Sequence, residues 1–362
     1  MTLQLMEGSE AIAEAAIAAG CRFFSGYPMT PFTETLEHFS KKLPEVGGSC
    51  INAESELEAV GMAWGALATG ARAATGSTGQ GLALMQESFS EITRAELPLV
   101  TFNMSRGQGD YFQSTRGGGH GDYRQIVLAP MDIREAVELT QLAFHLADRW
   151  RNPVIFYGDY LLTHTYEAVD VQRIDFEALP EKGWALDGSL SGTGRSRIIT
   201  PLGFEKAGSG RGGGDLTEFW NRLAAKHREI EKAEARAEAA FTEDAELVVV
   251  AFGTSAKFVS YVVRQLREDG VAVGYVRPIT LWPFPYAAVR AATENAQRVA
   301  VFELNGGQMI DDVRLSVLDR APVVSIGGIS TDGSGFGVGP LLDAEIIRER
   351  VEHALKGEEV SP

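Results

Sequence analysis

INAESELEAVGMAWGALATGARAATGSTGQGLALM, residues 51–85, carries the pattern that decides the fold. Three glutamates, Glu54, Glu56 and Glu58, run into a helical stretch bearing Leu57, Val60, Met62, Trp64 and Leu67. Ala73 and Ala74 then lead from a strand into a turn of glycines and hydroxyls, and Leu82 to Met85 belong to the next helix. Such turns occupy the end of a parallel α/β sheet where ligands bind. The flanking sequence keeps the rhythm: Ala11 to Ala19 reads as a helix, Cys21 to Tyr27 as a short strand and Phe32 to Leu43 as a helix, with buried-type strands at Leu97 to Asn103 and Val154 to Tyr157. Residues 1–170 are therefore expected to form an open α/β sheet with helices on both faces.

From 171 to 242 the composition changes. GSGRGGGD (208–215) reads as a linker or lid, and Leu216 to Ala240 as a polar helix bracing two domains. A second α/β unit is expected over 243–362, with strands in ELVVVAFG (246–253), VAVGYVRP (271–278) and RVAVFELN (298–305) and a helix from Thr254 to Asp269. Strand, helix and strand in that order imply a parallel crossover.

Composition removes several classes of function. With 33 Lys and Arg against 49 Asp and Glu, the formal charge of −16 suits neither nucleic acid nor an anionic membrane. Only two cysteines are present, Cys21 and Cys50, whereas an iron–sulfur cluster needs about four thiolates. The first residues lack a basic segment followed by an unbroken apolar core, and no run approaches the roughly 20 apolar residues of a membrane span, so a cytoplasmic protein is expected.

The candidate site residues cluster in the first unit. GYPMTP (26–31) places Tyr27, Pro28 and Thr30 between a strand and a helix, where ligands are bound in α/β folds; alternatively, the prolines start the helix and Thr30 caps it. Glu56 enters a largely apolar helix, where burial favours a protonated carboxyl able to hold or donate a proton; alternatively, the three glutamates complement the helix dipole on a solvated face. Ser77, Thr78 and Gly79 resemble a phosphate cradle without GxGxxG or P-loop spacing, which favours close packing or contact with a cofactor ring. Arg106 lies just beyond a strand, where a guanidinium can grip a carboxylate in bidentate fashion, or it is a surface arginine. His120, in a Gly-rich loop, is either a general acid/base or a structural residue.

Together, GYPMTP, AESE, STGQGLALMQE, ELPLVTFNMSRG and DYFQSTRGGGHGDYRQIVLAP closely resemble the alpha subunits of 2-oxoacid:ferredoxin oxidoreductases, particularly the branched-chain 2-oxoisovalerate type. RNPVIFYGD, AELVVVAFGTS, VGYVRPITLWPFP and ELNGGQM extend the resemblance over most of the chain except the Gly-rich middle. The resemblance implies a thiamine-enzyme pyrimidine-binding domain followed by a transketolase C-terminal-like domain. It also implies thiamine diphosphate held through Mg2+ mainly by a beta subunit, gamma-type and ferredoxin-type subunits carrying the iron–sulfur clusters, and coenzyme A as co-substrate. By motif position, Glu56 matches the glutamate on the pyrimidine ring nitrogen, Thr30 the threonine near the substrate and Arg106 the arginine facing the 2-oxoacid carboxylate. Tyr27, Pro28, Ser77, Thr78 and Gly79 would contact the cofactor.

One departure stands out. Branched-chain relatives carry a longer Gly/Pro-containing loop after the arginine, whereas here only GQG separates Arg106 from Asp110, which brings Gln108 to the expected substrate side. Other readings of the same fold are a transketolase-like or 2-oxoacid dehydrogenase subunit, or a non-catalytic scaffold. The retention of Thr30, Glu56 and Arg106 argues against the scaffold.

Overall fold

Short apolar runs separated by amphipathic helices give parallel strands joined by crossovers. The computed structural model describes residues 3–186, 216–328 and 342–358. In chain order the first unit comprises β1 (Gln4–Glu7), α1 (Gly8–Ala18), β2 (Phe23–Gly26), α2 (Thr33–Lys42), β3 (Ser49–Asn52), α3 (Glu56–Ala68), β4 (Ala73–Ser77), α4 (Gly79–Leu84), α5 (Gln86–Arg94), β5 (Val100–Ser105), α6 (Tyr111–Thr115), β6 (Ile126–Leu128), α7 (Ile133–Trp150), β7 (Val154–Asp159), α8 (Tyr160–His164) and β8 (Tyr166–Val169). The remainder comprises α9 (Leu216–Glu234), β9 (Ala237–Ala240), β10 (Leu247–Ala251), α10 (Gly253–Glu268), β11 (Val273–Pro278), β12 (Thr280–Trp282), α11 (Tyr286–Ala292), β13 (Arg298–Phe302), α12 (Met309–Val317), β14 (Val323–Ser325) and α13 (Ala344–Lys356).

The larger sheet has seven strands in the order β12-β6-β7-β5-β4-β2-β3 and is parallel except for β12. The chain moves outward from β2 to β3 and back across to β4, so right-handed connections put α2 and α3 on opposite faces. The smaller sheet runs β14-β13-β10-β11-β9, with only β9 antiparallel. β1 and β8 form a separate antiparallel ribbon.

Three differences from the sequence reading have physical causes. Thr75, Gly76 and Ser77 belong to β4, not to a turn: Gly76 pairs with Gly26 and Phe102, and the Phe32 ring covers it where a Cβ would stand. The polar helix ends at Glu234, and Ala237–Ala240 pairs with β11 as an edge strand. β12 leaves the second half to close the edge of the first sheet against β6. The GSGRGGGD segment lies outside the described residues. No helix among them is long and apolar enough to cross a membrane.

The two α/β units are tied by charge as well as by packing. Arg277 on β11, 3% exposed, grips Glu135 at the start of α7 through Nη1 (2.7 Å) and Nη2 (2.9 Å) and also meets Glu238 on β9 at 2.7 Å. Removing the buried arginine leaves two partly exposed carboxylates, Glu135 and Glu238, without their shared cation. Arg277→Met is expected to cost about 3 kcal/mol in a denaturant titration of the purified protein, and a loss below about 1 kcal/mol would show that the pair does little to hold the units together.

Candidate active site

Strands β3, β2, β4 and β5 are parallel neighbours, so the segments that follow them leave from one edge of the sheet. Those segments carry Thr30 after β2, Glu56 after β3, Thr78 to Gly81 after β4 and Arg106 after β5. The register fixes their heights: Gly26 stands opposite Asn52 and Gly76, and Ser77 opposite Asn103. A Cβ on Gly26 would lie 3.0 Å from the Phe32 ring, so the start of the GYPMTP loop packs directly under that ring.

Of the three glutamates, Glu54 and Glu58 are exposed and Glu56 is 3% exposed. Ser55 caps α3 by accepting from Glu58 N at 3.4 Å, and this leaves Glu56 as the first helical residue, turned inward. Ser77 Oγ donates to Glu56 Oε1 at 3.0 Å. Among the described residues Oε2 has no hydrogen-bond partner. Gly81 lies against the pair, with no room for a methyl: a Cβ there would collide with Ser77 Oγ and Glu56 Oε1 and stand 2.6 Å from Glu56 Cγ. Sequence reading did not single out Gly81; the signal was the second glycine of the Gly79-Gln80-Gly81 spacing.

The other candidates continue along the same edge. Thr78, fully buried, has its Oγ1 3.0 Å from Met29 Sδ and 2.9 Å from Gln80 Oε1. Arg106 Nε donates to the Thr30 carbonyl at 3.1 Å, and the two terminal guanidinium nitrogens have no partner among the described residues. Tyr27 is half-buried, while Pro28 and Thr30 are exposed. Gly79 packs on Asp110, whose carboxylate accepts from Asn103 Nδ2 at 3.3 Å and Gln113 Nε2 at 3.0 Å. Glu56 with Ser77, Thr78 with Met29, and Thr30 with Arg106 thus form one row of contacts.

Two residues take different roles. Gln108, expected on the substrate side, is 1% exposed and its amide is already engaged: Nε2 donates to Phe252 O (2.8 Å) and Ser255 Oγ (3.2 Å), and Oε1 accepts from Leu304 N (2.9 Å). It has nothing left for a substrate, and the expectation is corrected. His120 is a surface residue whose ring lies 2.9 Å from Glu91 Oε1 and 3.3 Å from Arg94 Nη1. The two cysteines are free, and burial pushes the Cys21 thiol up to about 12 and the Cys50 thiol to about 11. Among the described residues, no three His, Cys, Asp or Glu side chains come together as metal ligands.

Residues 14–184 match the family described as pyruvate flavodoxin/ferredoxin oxidoreductase, thiamine diP-bdg, and residues 245–335 match pyruvate:ferredoxin oxidoreductase core domain II. The chain is 38% identical over 326 residues to the ketoisovalerate oxidoreductase subunit VorB of Methanothermobacter marburgensis, covering 87% of this chain and 90% of the relative. It is 34% identical to the 2-oxoglutarate synthase subunit KorA of Methanothermobacter thermautotrophicus, covering 88% and 92%. The chain therefore belongs to the family of 2-oxoacid:ferredoxin oxidoreductase subunits. In fold it is similar to the 2-oxoglutarate:ferredoxin oxidoreductase from Magnetococcus marinus solved with 2-oxoglutarate, coenzyme A and succinyl-CoA bound (TM-score 0.82, 24% identity, 98% of this chain), and it spans 65% of that longer chain. A split-gene transketolase shares the fold at TM-score 0.58 and 15% identity, with 98% of this chain and 99% of the other covered.

The contact at Gly81 gives a paired test. Alanine in a helix is normally better than glycine by about 0.5–1 kcal/mol, so Gly65→Ala, which faces open space on α3, is expected to be neutral or stabilising. Gly81→Ala is expected to destabilise by about 1–3 kcal/mol through overpacking. Thermal melts that rank the two variants the other way round would mean that Gly81 does not hold Glu56 in place.

Proposed function

We propose that the chain is the alpha-type subunit of a thiamine-diphosphate-dependent 2-oxoacid:acceptor oxidoreductase, and that Glu56 is the carboxyl that activates the cofactor. The observation that carries this reading is the buried Glu56 carboxyl at the carboxyl edge of the sheet, with Oε1 on Ser77 and Oε2 without a partner among the described residues. That donor set fits the aminopyrimidine half of thiamine diphosphate: one oxygen is anchored, and the other is left to face a ring nitrogen. When bound, the cofactor supplies a carbanion that adds to the 2-oxoacid carbonyl and takes up the electrons left by decarboxylation.

Glu56 Oε2 holds and returns the proton at the ring nitrogen, and the Ser77 hydroxyl keeps the carboxyl from rotating away. Thr78 and Gly79 form the floor beside it, and Tyr27 and Pro28 the rim. Arg106 offers its two unpaired guanidinium nitrogens to the substrate carboxylate, with the exposed Thr30 beside it. Mg2+ and the diphosphate are assigned to a beta-type partner, because the sequence has no motif for them. The clusters are assigned to gamma-type and ferredoxin-type partners, because two cysteines fall short of the roughly four a cluster needs. Coenzyme A accepts the acyl group. Assay of the assembled complex with a panel of 2-oxoacids, coenzyme A and an artificial electron acceptor tests the reading as a whole.

Two substitutions test it in detail. Glu56→Gln keeps size and helix geometry but cannot exchange the proton, so hydrogen–deuterium exchange at the thiazolium carbon of the assembled complex is expected to slow about 10²- to 10⁴-fold. Exchange at the wild-type rate would move the role to another residue or another subunit. Arg106→Met removes a charged hydrogen bond worth about 1.5–3 kcal/mol, so KM is expected to rise for every 2-oxoacid with cofactor content unchanged. An unaltered KM would make Arg106 a structural residue.

A further inference from the structure

The loop that carries Arg106 is bolted to the second α/β unit. Gln108 N donates to Leu304 O at 3.1 Å, Leu304 N returns a bond to Gln108 Oε1 at 2.9 Å, and Asn305 Nδ2 reaches Gln108 O at 2.8 Å. Gln108 Nε2 spans to Phe252 O and Ser255 Oγ at the start of α10. One residue further on, Gln308 Nε2 donates to Gly109 O at 2.9 Å. The receiving side is stiff: the buried Glu303 carboxylate accepts from the backbone nitrogens of Gln308 (3.1 Å), Met309 (2.8 Å) and Ile310 (3.1 Å).

Glycines flank Gln108 on both sides and would leave a free loop mobile. The backbone at Arg106 is set on one side by Ser105 at the end of β5 and on the other by Gln108, two residues away. Its side chain adds a single tether, Nε to the Thr30 carbonyl. We propose that Gln108 is a positioning residue for Arg106, transmitting the placement of the second α/β unit to the guanidinium that grips the substrate carboxylate. This rests on the reading of Arg106 given above. The loop is then a clamp: it connects Arg106 rigidly to Phe252, Ser255, Leu304 and Asn305. A misplacement of about 1 Å in such a group is enough to cost up to about a hundredfold in efficiency.

The test is a double-mutant cycle in the assembled enzyme with 2-oxoisovalerate, 2-oxoglutarate and pyruvate as probes. Gln108→Met, which keeps length but loses the amide, is expected to raise KM about tenfold for whichever of these acids are turned over, with kcat within about twofold. In an Arg106→Met background the same change is expected to add nothing to KM, because the group it positions is gone. A lower melting temperature with KM unchanged, or effects that add in the double variant, overturns the proposal. If Arg106→Met alone leaves KM unchanged, the reading of Arg106 falls first and takes the proposal with it. Should Gln108→Met fail to assemble, Ser255→Ala removes one anchor from the far side; a KM rise of about two- to threefold supports the clamp and an unchanged KM overturns it.

Discussion

Parallel pairing of neighbouring strands is the constraint on which the site depends. Because β3, β2, β4 and β5 run the same way, side chains far apart in sequence leave the sheet along one edge. Close approach makes the edge compact. Gly26 and Gly76 sit opposite each other under Phe32, and Gly81 sits against Glu56 and Ser77, so the backbone reaches places that a side chain would fill. A buried carboxyl is costly unless it is hydrogen-bonded, and the Ser77 hydroxyl meets part of that need.

Several of the polar contacts between the second α/β unit and the first are buried, those of Gln108 and of Tyr111 among them. Asp312 on α12 receives the hydroxyls of Tyr111 (2.6 Å) and Tyr286 (2.5 Å) and the guanidinium of Arg116 (3.2 Å). Burial first, and then the Asp312 carboxylate, hold both tyrosine hydroxyls above their ordinary range, which keeps them neutral donors. Asp159 at the end of β7 accepts from Thr254 on α10 and from Leu162 N, and burial raises its carboxyl above the usual range. The bonds of Tyr111 and Arg116 to Asp312 and of Asp159 to Thr254 join segments at the carboxyl edge of the first sheet to helices of the other unit, as those of Gln108 do.

Much of this was legible in the sequence, and what was missed has physical reasons. Periodicity gave the α/β class, and the motifs brought Thr30, Glu56, Ser77 and Arg106 to one edge because each directly follows, or in Ser77 ends, a parallel strand. Periodicity could not separate Glu56 from Glu54 and Glu58, since three alternating acids at a helix start look alike until the cap at Ser55 sets the phase. Gln108 was misplaced because a polar residue in a Gly-rich loop looks exposed, and its partners lie well over a hundred residues further along the chain. β12 was missed because a three-residue strand has no period of its own, and its antiparallel partner belongs to the other half of the chain.

The excursion of β12 also has a consequence for biosynthesis. A ribosome emits the first six strands of the larger sheet long before Thr280–Trp282, and until then β6 is an edge strand with its outer hydrogen-bonding groups unpaired. An open edge of that kind invites pairing with another nascent or unfolded chain. The larger sheet is finished only when the second half is made, so the protein cannot be divided into an early and a late piece without leaving one piece adhesive.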